Sequence, residues 1–429
     1  MKIIHRLLPT PPDFPSDKTA LLRRNLNFHI GDGAFYVFGM SFTSFQTIFP
    51  IFIKELGGNT VEIGSVQVLW TMGANIPAVF VAQYLKRISL FSPAMVKWGF
   101  VHRFILFVTG VTAAVLIGKV SSSVSVPVFL LLWFLTAMFG SIAGLPWFQV
   151  FTKTVPVKLR GRLMGIRQLL GSIGGIVAGS LVGIILSEVL FPFNYSILFF
   201  SSFLFTMVSF YFLTRVTEEK SVETFPKGER RLKIFEEAKQ IIRGDRNYRH
   251  YLVTDSLNMT VIAAGSFYAV YALEKFSLPS WYAGTFTAIV MVSSVVANIV
   301  FGITADLYGH KKNLLAYSLC MGLAALLAVV SPNIFIYGFV FVFLSCAVQI
   351  QAISRSPFVA EMCKEHYRPV YVGIANTLAS PALLVGILFG WLIPKIGFAA
   401  IFTIIAILAL SSFYILHTFV AEPRFTKQG

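Results

Sequence analysis

The chain has 429 residues, of which 56% are hydrophobic and only 13% are charged. Soluble globular domains are about 25% charged, so this composition excludes an ordinary soluble protein. The net charge of +16 would indicate nucleic-acid binding only if the basic residues clustered on a water-exposed domain, and the sequence contains no such domain. The three cysteines have no CxxC spacing, so neither a disulfide framework nor a metal site is predicted.

The apolar residues fall into twelve runs of roughly 18 to 25 residues, long enough to cross about 30 Å of hydrocarbon as helices. Backbone groups in lipid must satisfy their own hydrogen bonds, which makes the helix the expected spanning element. In chain order, the predicted spans are residues 27–53, 62–85, 97–119, 124–146, 164–187, 193–214, 251–273, 282–304, 313–331, 333–352, 370–392 and 396–418. The sequence therefore predicts an all-α integral membrane protein.

Polar segments separate the predicted spans into two bundles of six. We predict a cytoplasmic N-terminal segment, an N-terminal bundle, a cytoplasmic central loop, a C-terminal bundle and a cytoplasmic tail. These regions cover residues 1–26, 27–214, 215–250, 251–418 and 419–429, respectively. All but four of the 35 Lys and Arg residues lie at the chain ends, in the even-numbered loops or in the adjoining helix turns. Because basic residues concentrate on the cytoplasmic side, both termini are expected there, in a plasma (inner) membrane.

Within the central loop, residues 229–243 have the spacing of an amphipathic helix. Leu232, Phe235, Ala238 and Ile242 share one helical face, and the basic residues lie elsewhere. This pattern suits a helix that lies on an anionic membrane surface. A solvated linker helix explains the pattern equally well.

The two predicted bundles resemble each other in sequence. Ala-Asn-Ile occurs at 74–76 and again 223 residues later at 297–299, and the same offset pairs Asp32 with Asp255. Equal numbers of spans and recurring segments are typical of an internally duplicated transporter. The predicted architecture is therefore about twelve transmembrane helices in two six-helix pseudo-repeat bundles.

The loop between the eighth and ninth predicted spans has the sequence GITADLYGHKK. It resembles the signature loop of the major facilitator superfamily, Gly-x-x-x-Asp-x-x-Gly-x-Lys/Arg-Lys/Arg, through Gly302, Asp306, Gly309, Lys311 and Lys312. The resemblance extends from about residue 25 to residue 420 and includes segments at 56–64, 156–165 and 247–249.

The resemblance implies a secondary transporter that works by alternating access between two helical bundles. It implies a monomer in the lipid bilayer that binds a small solute, with or without a coupled proton or sodium ion, and that needs no cofactor. HExxH, GxSxG and the phosphate-binding GxxxxGK[ST] are missing from the sequence, so neither an enzyme nor an ATP-driven pump is expected. The alternative is a non-transporting membrane sensor or assembly factor on the same fold.

The resemblance also implies a cytoplasmic gate at Asp306. An acid can accept hydrogen bonds from the unpaired amides at a helix N-terminus, where the helix dipole favours negative charge. In the superfamily arrangement Asp306 would approach the start of the fifth helix near Arg160 and Arg162, and this contact would break on inward opening. Lys311 and Lys312 would set topology and loop packing. A static tie between helices is the alternative role for Asp306.

The fifth predicted span carries Gly171, Gly175, Gly179 and Gly183 at every fourth position. Small residues at this spacing make a flat face that another backbone can approach closely in lipid. We expect helix packing on this face, either static or permitting one bundle to rock against the other. The span lacks the proline of the antiporter-type fifth-helix motif, which disfavours drug/proton exchange.

Few ionisable residues lie inside the predicted spans, where a buried charge costs several kcal/mol. Asp32 and Asp255 enter the first and seventh spans from the inner side, and Arg103 and Arg167 lie in the third and fifth. We expect structural ion pairs as the main role of the two acids, and coupling of transport to protons as their alternative role. No carboxylate lies at mid-span, which disfavours coupling through a central acid.

Neutral polar and aromatic residues occupy the mid-span positions. In the superfamily the first, fourth, seventh and tenth helices line the substrate path, which nominates candidate cavity residues. They are Gln46, Trp133, Tyr268 and Gln349 on those helices, with Asn75 and Asn298 on the second and eighth. Hydrogen bonding to a neighbouring helix is the alternative role for each. Together they favour an uncharged or amphipathic ligand.

Overall fold

A computed structural model describes residues 8–9, 14–85, 88–220, 234–364 and 367–424. Within these ranges the chain forms α-helices joined by turns and short 3-10 segments, with one isolated β-bridge between Ile117 and Val120. The predicted all-α fold is confirmed. The described residues omit part of the central loop, so residues 229–233 of the predicted amphipathic helix lie outside them.

The described first half of the chain contains seven α-helices. They are α1 (Thr19–Met40), α2 (Ile48–Glu55), α3 (Thr60–Leu85), α4 (Ser92–Leu116), α5 (Ser122–Thr154), α6 (Val157–Glu188) and α7 (Phe193–Thr214). α1 and α2 belong to one apolar stretch, Ser16–Glu55, which a short 3-10 turn interrupts at Ser41–Thr43. Several helices begin earlier than the predicted spans, because a helix can continue beyond the apolar run into polar surroundings.

The described second half contains eight α-helices. They are α8 (Ile234–Gly244), α9 (Arg246–Ile262), α10 (Phe267–Lys275), α11 (Tyr282–Tyr308), α12 (His310–Val330), α13 (Ile334–Glu361), α14 (Arg368–Ala379) and α15 (Val385–Phe419). α9 and α10 meet at a bend of 41°. α15 turns sharply at Gly397, whose φ of 83° is a backbone conformation that glycine adopts readily.

The described helices account for about twelve membrane crossings. By length and apolar composition nine stretches can cross a membrane, or ten when the bent α9–α10 pair is counted as one span. α3 adds a helix of 26 residues. The stretch Val370–Phe419 has 50 residues, about 75 Å of helix, and its turn at Gly397 divides it into two crossings. This number confirms the prediction from the apolar runs.

Local sequence explains where several helices begin. Asn59 and Glu62 form a reciprocal capping box at the start of α3, in which Asn59 Oδ1 accepts from the Glu62 amide at 3.0 Å and Glu62 Oε2 accepts from the Asn59 amide at 2.8 Å. Asp245 caps α9 by accepting from the Tyr248 amide at 2.8 Å, and Asn333 caps α13. Each cap satisfies an amide that the helix itself leaves unpaired.

The described residues form two compact units. The first unit comprises the described parts of 1–57, 69–226 and 283–288, and the second comprises those of 58–68, 227–282 and 289–429. Each unit therefore includes a short segment from the other half of the sequence.

Helix α1 is central to the first unit, where it packs against α6 and α7, while α4 packs against α5 and α7. An aromatic core lies around α2. Phe49 stacks on Trp133 with ring centroids 3.9 Å apart, and Phe52 makes edge contacts with Phe129 and Phe199. Because each aromatic side chain buries about 150–250 Å², this core fixes α2 against α5 and α7.

In the second unit α12 packs against α13 and α15, and α9 packs against α15. A buried cluster that includes Tyr248, Tyr251 and Phe358 fills one end of the unit. Residues 241–242 of α8 pack against this cluster. The described part of the central loop thus rests on the helices of the second unit.

The glycines of α6 permit close helix approach within the first unit. A methyl group at Gly171 would overlap Val37 of α1. At Gly179 a methyl group would press on the backbone of Gly284 and Ala288, which begin α11. Both contacts depend on the absence of a side chain.

We expect Gly179→Val to destabilise the protein, because its side chain would overlap the α11 backbone. Overpacking typically costs about 1–3 kcal/mol, so the unfolding temperature in detergent should fall. The matched control is Gly165→Val on the same helix, where a methyl group meets no atom within 4 Å. Equal shifts in the two variants would contradict close packing at Gly179.

Candidate functional site

The first unit buries a carboxylate, Asp32 of α1, among donors from three other helices. Asp32 Oδ2 accepts from Arg167 Nη2 at 3.0 Å and from Trp147 Nε1 at 3.2 Å, and Oδ1 accepts from Ser209 Oγ at 2.8 Å. Asp32 is only 3% exposed. Its three donors compensate for the loss of water, which would be costly for an unpaired charge.

A second buried guanidinium lies beside this carboxylate. Arg103 Nη2 is 4.0 Å from Asp32 Oδ1 and donates to Ser209 Oγ at 3.0 Å. Its Nε donates to the Thr206 carbonyl at 2.6 Å, and its Nη1 donates to the Gly99 carbonyl at 2.8 Å. Arg103 therefore interacts mainly with neutral oxygens, and the one carboxylate is shared between two arginines.

Helix α1 and an aromatic ring hold Arg167 in place. Its Nη1 donates to the His29 carbonyl at 2.8 Å. Its guanidinium lies over the Trp147 ring, 4.7 Å from the centroid, in a cation–π contact. A methyl group at Gly33 would overlap the Arg167 side chain, so a glycine is needed where the arginine crosses α1.

Tyr36 and His102 extend the polar cluster towards α5. His102 Nδ1 lies 2.9 Å from the Thr136 carbonyl, which can only accept, so Nδ1 carries a hydrogen. In a neutral ring His102 Nε2 then accepts from the Tyr36 hydroxyl at 3.3 Å. The two side chains therefore form a directed chain of hydrogen bonds that ends on the backbone of α5.

These side chains line a cavity of about 210 Å³. Its wall includes Asp32, Tyr36, His102, Arg103, Trp147 and Arg167. Gly140, Ala143 and Gly144 of α5 and Leu213 of α7 complete the lining. A methyl group at Gly144 would meet no atom within 4 Å, so α5 leaves space here.

The structure brings together three charged residues that the sequence had singled out, Asp32, Arg103 and Arg167. Sequence reasoning missed Trp147, because the fourth span was predicted to end at residue 146 whereas α5 continues to Thr154. It also missed Ser209. A serine in a membrane helix can satisfy its hydroxyl on its own backbone, so the sequence gives no sign of a charged partner.

The second unit contains its own buried ion pair. Arg355 Nε and Nη2 donate to the two carboxylate oxygens of Asp255, each at 2.8 Å, in the bidentate geometry that makes such pairs strong. Arg355 Nη1 donates to Asn376 Oδ1 at 2.8 Å. Sequence reasoning missed Arg355 because the tenth span was predicted to end at residue 352, whereas α13 continues to Glu361.

The mid-span candidates of the first unit lie in different surroundings. Trp133 is 2% exposed, stacks on Phe49 with ring centroids 3.9 Å apart, and contacts the tilted Trp70 ring at 4.6 Å. Gln46 is buried and Asn75 is exposed. Trp133 thus contributes to an aromatic core, and a role for these three residues in a substrate path stays a prediction.

The mid-span candidates of the second unit are mostly engaged with neighbours. Tyr268 is fully buried and stacks on Phe402, with ring centroids 4.6 Å apart. Asn298 Nδ2 donates to Gln349 Oε1 at 3.0 Å, which joins the eighth and tenth crossings. The structure therefore pairs Asn298 with Gln349, and their contact with a solute stays a prediction.

The C-terminal segment packs on the signature loop. α11 ends at Tyr308 and α12 begins at His310, with Gly309 between them at a φ of 84°. Glu422 Oε2 accepts from the Lys311 amide at 2.8 Å, and a methyl group at Gly309 would overlap Glu422. The positive φ favours glycine at this position, and a larger residue would also displace the Glu422 carboxylate.

Arg424 holds the backbone of the same loop. It donates to the carbonyls of Ala305 and Asp306 at 3.0 and 3.3 Å, and to Glu361 Oε1 at 2.6 Å. The hydrogen bond with Glu361 raises the pKa of the Arg424 guanidinium. The side chain of Asp306 is exposed, so the loop is tied through its backbone while this carboxylate lies at the surface of its unit.

The first unit has an equivalent cap. Glu218, which follows α7, accepts from the amides of Phe91 and Ser92 at 2.9 and 2.7 Å, at the start of α4. Lys153 Nζ lies 2.7 Å from the same carboxylate. In each unit, an acid that follows the sixth crossing caps the third, as Glu422 does for α12. The duplication in sequence therefore extends to helix capping.

The proposed partners of the gate lie at the start of α6. Arg160 donates to the carbonyls of Val155 and Thr152 at the end of α5, at 3.0 and 2.5 Å. Arg162 is exposed. Asp306 belongs to the second unit and these arginines to the first, and the gating contact stays a prediction.

No group of three His, Cys, Asp or Glu side chains that could hold a metal ion occurs within the described ranges. The three cysteines, Cys320, Cys346 and Cys363, are free thiols. The chemistry that the described side chains offer is therefore ion pairing, hydrogen bonding and aromatic contact.

Comparisons with known proteins identify a family and solved structures to which the chain is similar. A family model described as Major Facilitator Superfamily matches residues 34–291 and 257–428. No curated protein matches the chain. Together the two matched ranges include most of both units and the whole signature loop.

Solved structures share the fold over nearly the whole chain. The nucleoside transporter NupG is 14% identical with a TM-score of 0.67, covering 92% of this chain and 99% of its own. The D-xylose-proton symporter is 15% identical with a TM-score of 0.65, covering 95% and 98%. The human organic anion transporter MFSD10 is 13% identical with a TM-score of 0.64, covering 95% and 100%. At such identities the likeness shows the fold alone.

We expect Asp32→Asn to destabilise the protein, because it leaves Arg103 and Arg167 buried without a counter-charge. Removing one partner of a buried ion pair typically costs about 3–5 kcal/mol, measured as a fall in the free energy of unfolding in detergent. The control is Asp17→Asn, whose carboxylate is exposed and whose loss should cost less than about 0.5 kcal/mol. Equal losses would contradict the charge balance assigned to Asp32.

Proposed function

We propose a function from the premise that the chain belongs to the major facilitator superfamily. It has the fold of transporters that carry unlike solutes, namely a nucleoside, a sugar and an organic anion. We infer that the protein is a secondary transporter of a small solute, which works as a monomer by alternating access in a plasma (inner) membrane. Both termini would face the cytoplasm.

The charged cavity of the first unit carries this proposal. Its three ionisable partners, Asp32, Arg103 and Arg167, are each less than 9% exposed. Buried ion pairs often contribute no more stability than apolar residues of similar volume, so a purely structural bundle gains little from them. In a solute-binding site, the same charges would bind and orient a polar group of the solute. A sensor would use the same site without moving the solute, so binding and flux must be measured separately.

Asp32 and Asp255 are the proposed coupling acids. Each pairs with an arginine, Arg167 in the first unit and Arg355 in the second. A proton on either carboxylate would weaken its ion pair and free the guanidinium, which is a way to link proton binding to a rearrangement of helices. Coupling to sodium and uncoupled diffusion are the alternatives.

The signature loop is the proposed cytoplasmic gate. Arg424 and Glu422 fix its backbone, and the Asp306 carboxylate is exposed on its own unit. This combination suits a latch, because a rigid loop presents the acid in one position. We propose that Asp306 accepts hydrogen bonds at the start of α6, near Arg160 and Arg162, and releases them when the cytoplasmic side opens.

A solute library should identify the function directly. Purified protein is screened for ligand-induced thermal stabilisation at two pH values, because selective binding raises stability by mass action. Each hit is then tested for flux into liposomes that contain the protein. We expect at least one solute to bind and to be carried. A solute that binds without flux would favour the sensor alternative over transport.

Asp306→Asn should slow transport and shift the protein towards the inward-open state, because the latch loses its charge. We expect a transport rate at least severalfold lower, together with greater thiol-reagent labelling of cysteines placed on the cytoplasmic side. The control is Glu219→Gln, which also removes an exposed acid, one paired with Lys18. Unchanged rate and unchanged labelling in Asp306→Asn would refute the gate.

A further inference from the structure

The cavity of the first unit has an excess of positive charge. Arg103 and Arg167 contribute two guanidinium groups to its lining, and Asp32 contributes one carboxylate. Two other titratable side chains line it, Tyr36 and His102, and a neutral His102 ring can make both of the hydrogen bonds observed for it. With Tyr36 and His102 uncharged, the charges of the described residues that line the cavity sum to one positive charge.

Arg167 also retains hydrogen-bonding capacity. A guanidinium has five N–H donors. Within the described ranges Arg167 uses two hydrogen bonds, to the His29 carbonyl and to Asp32 Oδ2. The Arg167 residue is only 8% exposed, so water has limited access to the remaining donors. An acceptor inside the cavity could reach them.

The rest of the lining suits a small apolar body. The Trp147 ring lies under the Arg167 guanidinium, and the Tyr36 ring lies 5.8 Å from the Arg103 guanidinium carbon. The side-chain position of Gly144 opens into empty space. The volume of about 210 Å³ is below the roughly 300–1,000 Å³ of pockets for drug-sized ligands. The cavity therefore fits a small ligand with one charged end.

We propose that this cavity binds a small organic monocarboxylate, whose carboxylate group contacts Arg167 and Arg103 and whose apolar part lies between Trp147, Tyr36 and Gly144. Guanidinium groups match the planar geometry of a carboxylate, and one negative charge balances the excess. The inference rests on the proposed transport function and names its substrate class. Of the uncharged or amphipathic ligands that the mid-span residues favoured, it selects an amphipathic one with a single negative charge.

Matched pairs of ligands test the charge requirement. The purified protein is titrated with acetate and acetamide, and with benzoate and benzamide, while thermal stabilisation and heat of binding are recorded. At least one acid should bind saturably and at least tenfold more tightly than its amide. If no acid binds more tightly than its amide, or if chloride binds as tightly as any carboxylate, the proposal is wrong.

Two variants test the location of the site. Gly144→Val fills the cavity without removing a charge, and it should weaken carboxylate binding at least tenfold. The matched control is Gly373→Val on α14, where a methyl group likewise meets no atom within 4 Å, and it should bind as the unaltered protein does. Equal affinities in Gly144→Val and Gly373→Val would place the carboxylate elsewhere and overturn the assignment.

Flux measurements separate this proposal from the proposed function. If an uncharged solute is carried into liposomes and no carboxylate binds, transport stands and the carboxylate site falls. If a carboxylate binds in a manner that depends on Gly144 but no solute crosses, the site stands and transport falls. If a carboxylate is carried into liposomes by the unaltered protein and by Gly373→Val but not by Gly144→Val, the result supports both the transport function and the carboxylate site.

Discussion

A peptide group in hydrocarbon finds no water, and leaving it unpaired costs several kcal/mol. Helices that satisfy their own backbone meet this constraint along most of the chain. Where a crossing is interrupted, the irregular backbone is covered by protein: residues 41–44 between α1 and α2 and residues 263–266 between α9 and α10 are buried. The Ser41 hydroxyl donates a hydrogen bond to the Val37 carbonyl at 2.7 Å. The remaining features of the two units are built on this helical frame.

Because water is absent inside this helical frame, a buried charge needs a partner of opposite charge. Each unit pairs its buried acid with an arginine of the same unit. In the second unit, one arginine balances the charge of the buried acid: Arg355 donates two hydrogen bonds to the Asp255 carboxylate. The first unit shares Asp32 between two arginines and adds Trp147 and Ser209 as donors. The repeat is therefore symmetric in its caps and in the placement of its acids, but asymmetric in net charge. This asymmetry gives the cavity of the first unit its second arginine.

Much of the fold could be predicted from the sequence, because the length of apolar runs and the distribution of Lys and Arg depend directly on the bilayer. The ends of helices were less predictable. α5 and α13 continue past their apolar runs. Trp147 and Arg355 lie in these continuations, so the sequence did not place them inside a crossing. The cavity could not be predicted either, because it depends on which faces of α1, α4, α5 and α6 meet. The packing of the mid-span candidate Trp133 in an aromatic core could not be predicted for the same reason.

As a transporter, the protein would receive a solute in the cavity beside Asp32 from one side of the membrane and release it to the other. The most direct test of this claim is the labelling of Gly144→Cys, in a protein whose native cysteines are replaced, with a membrane-impermeant thiol reagent applied to either side of protein-containing liposomes. The account predicts that the thiol reacts from both sides, each population being protected by bound solute. Reaction from one side only, with or without solute, would contradict it.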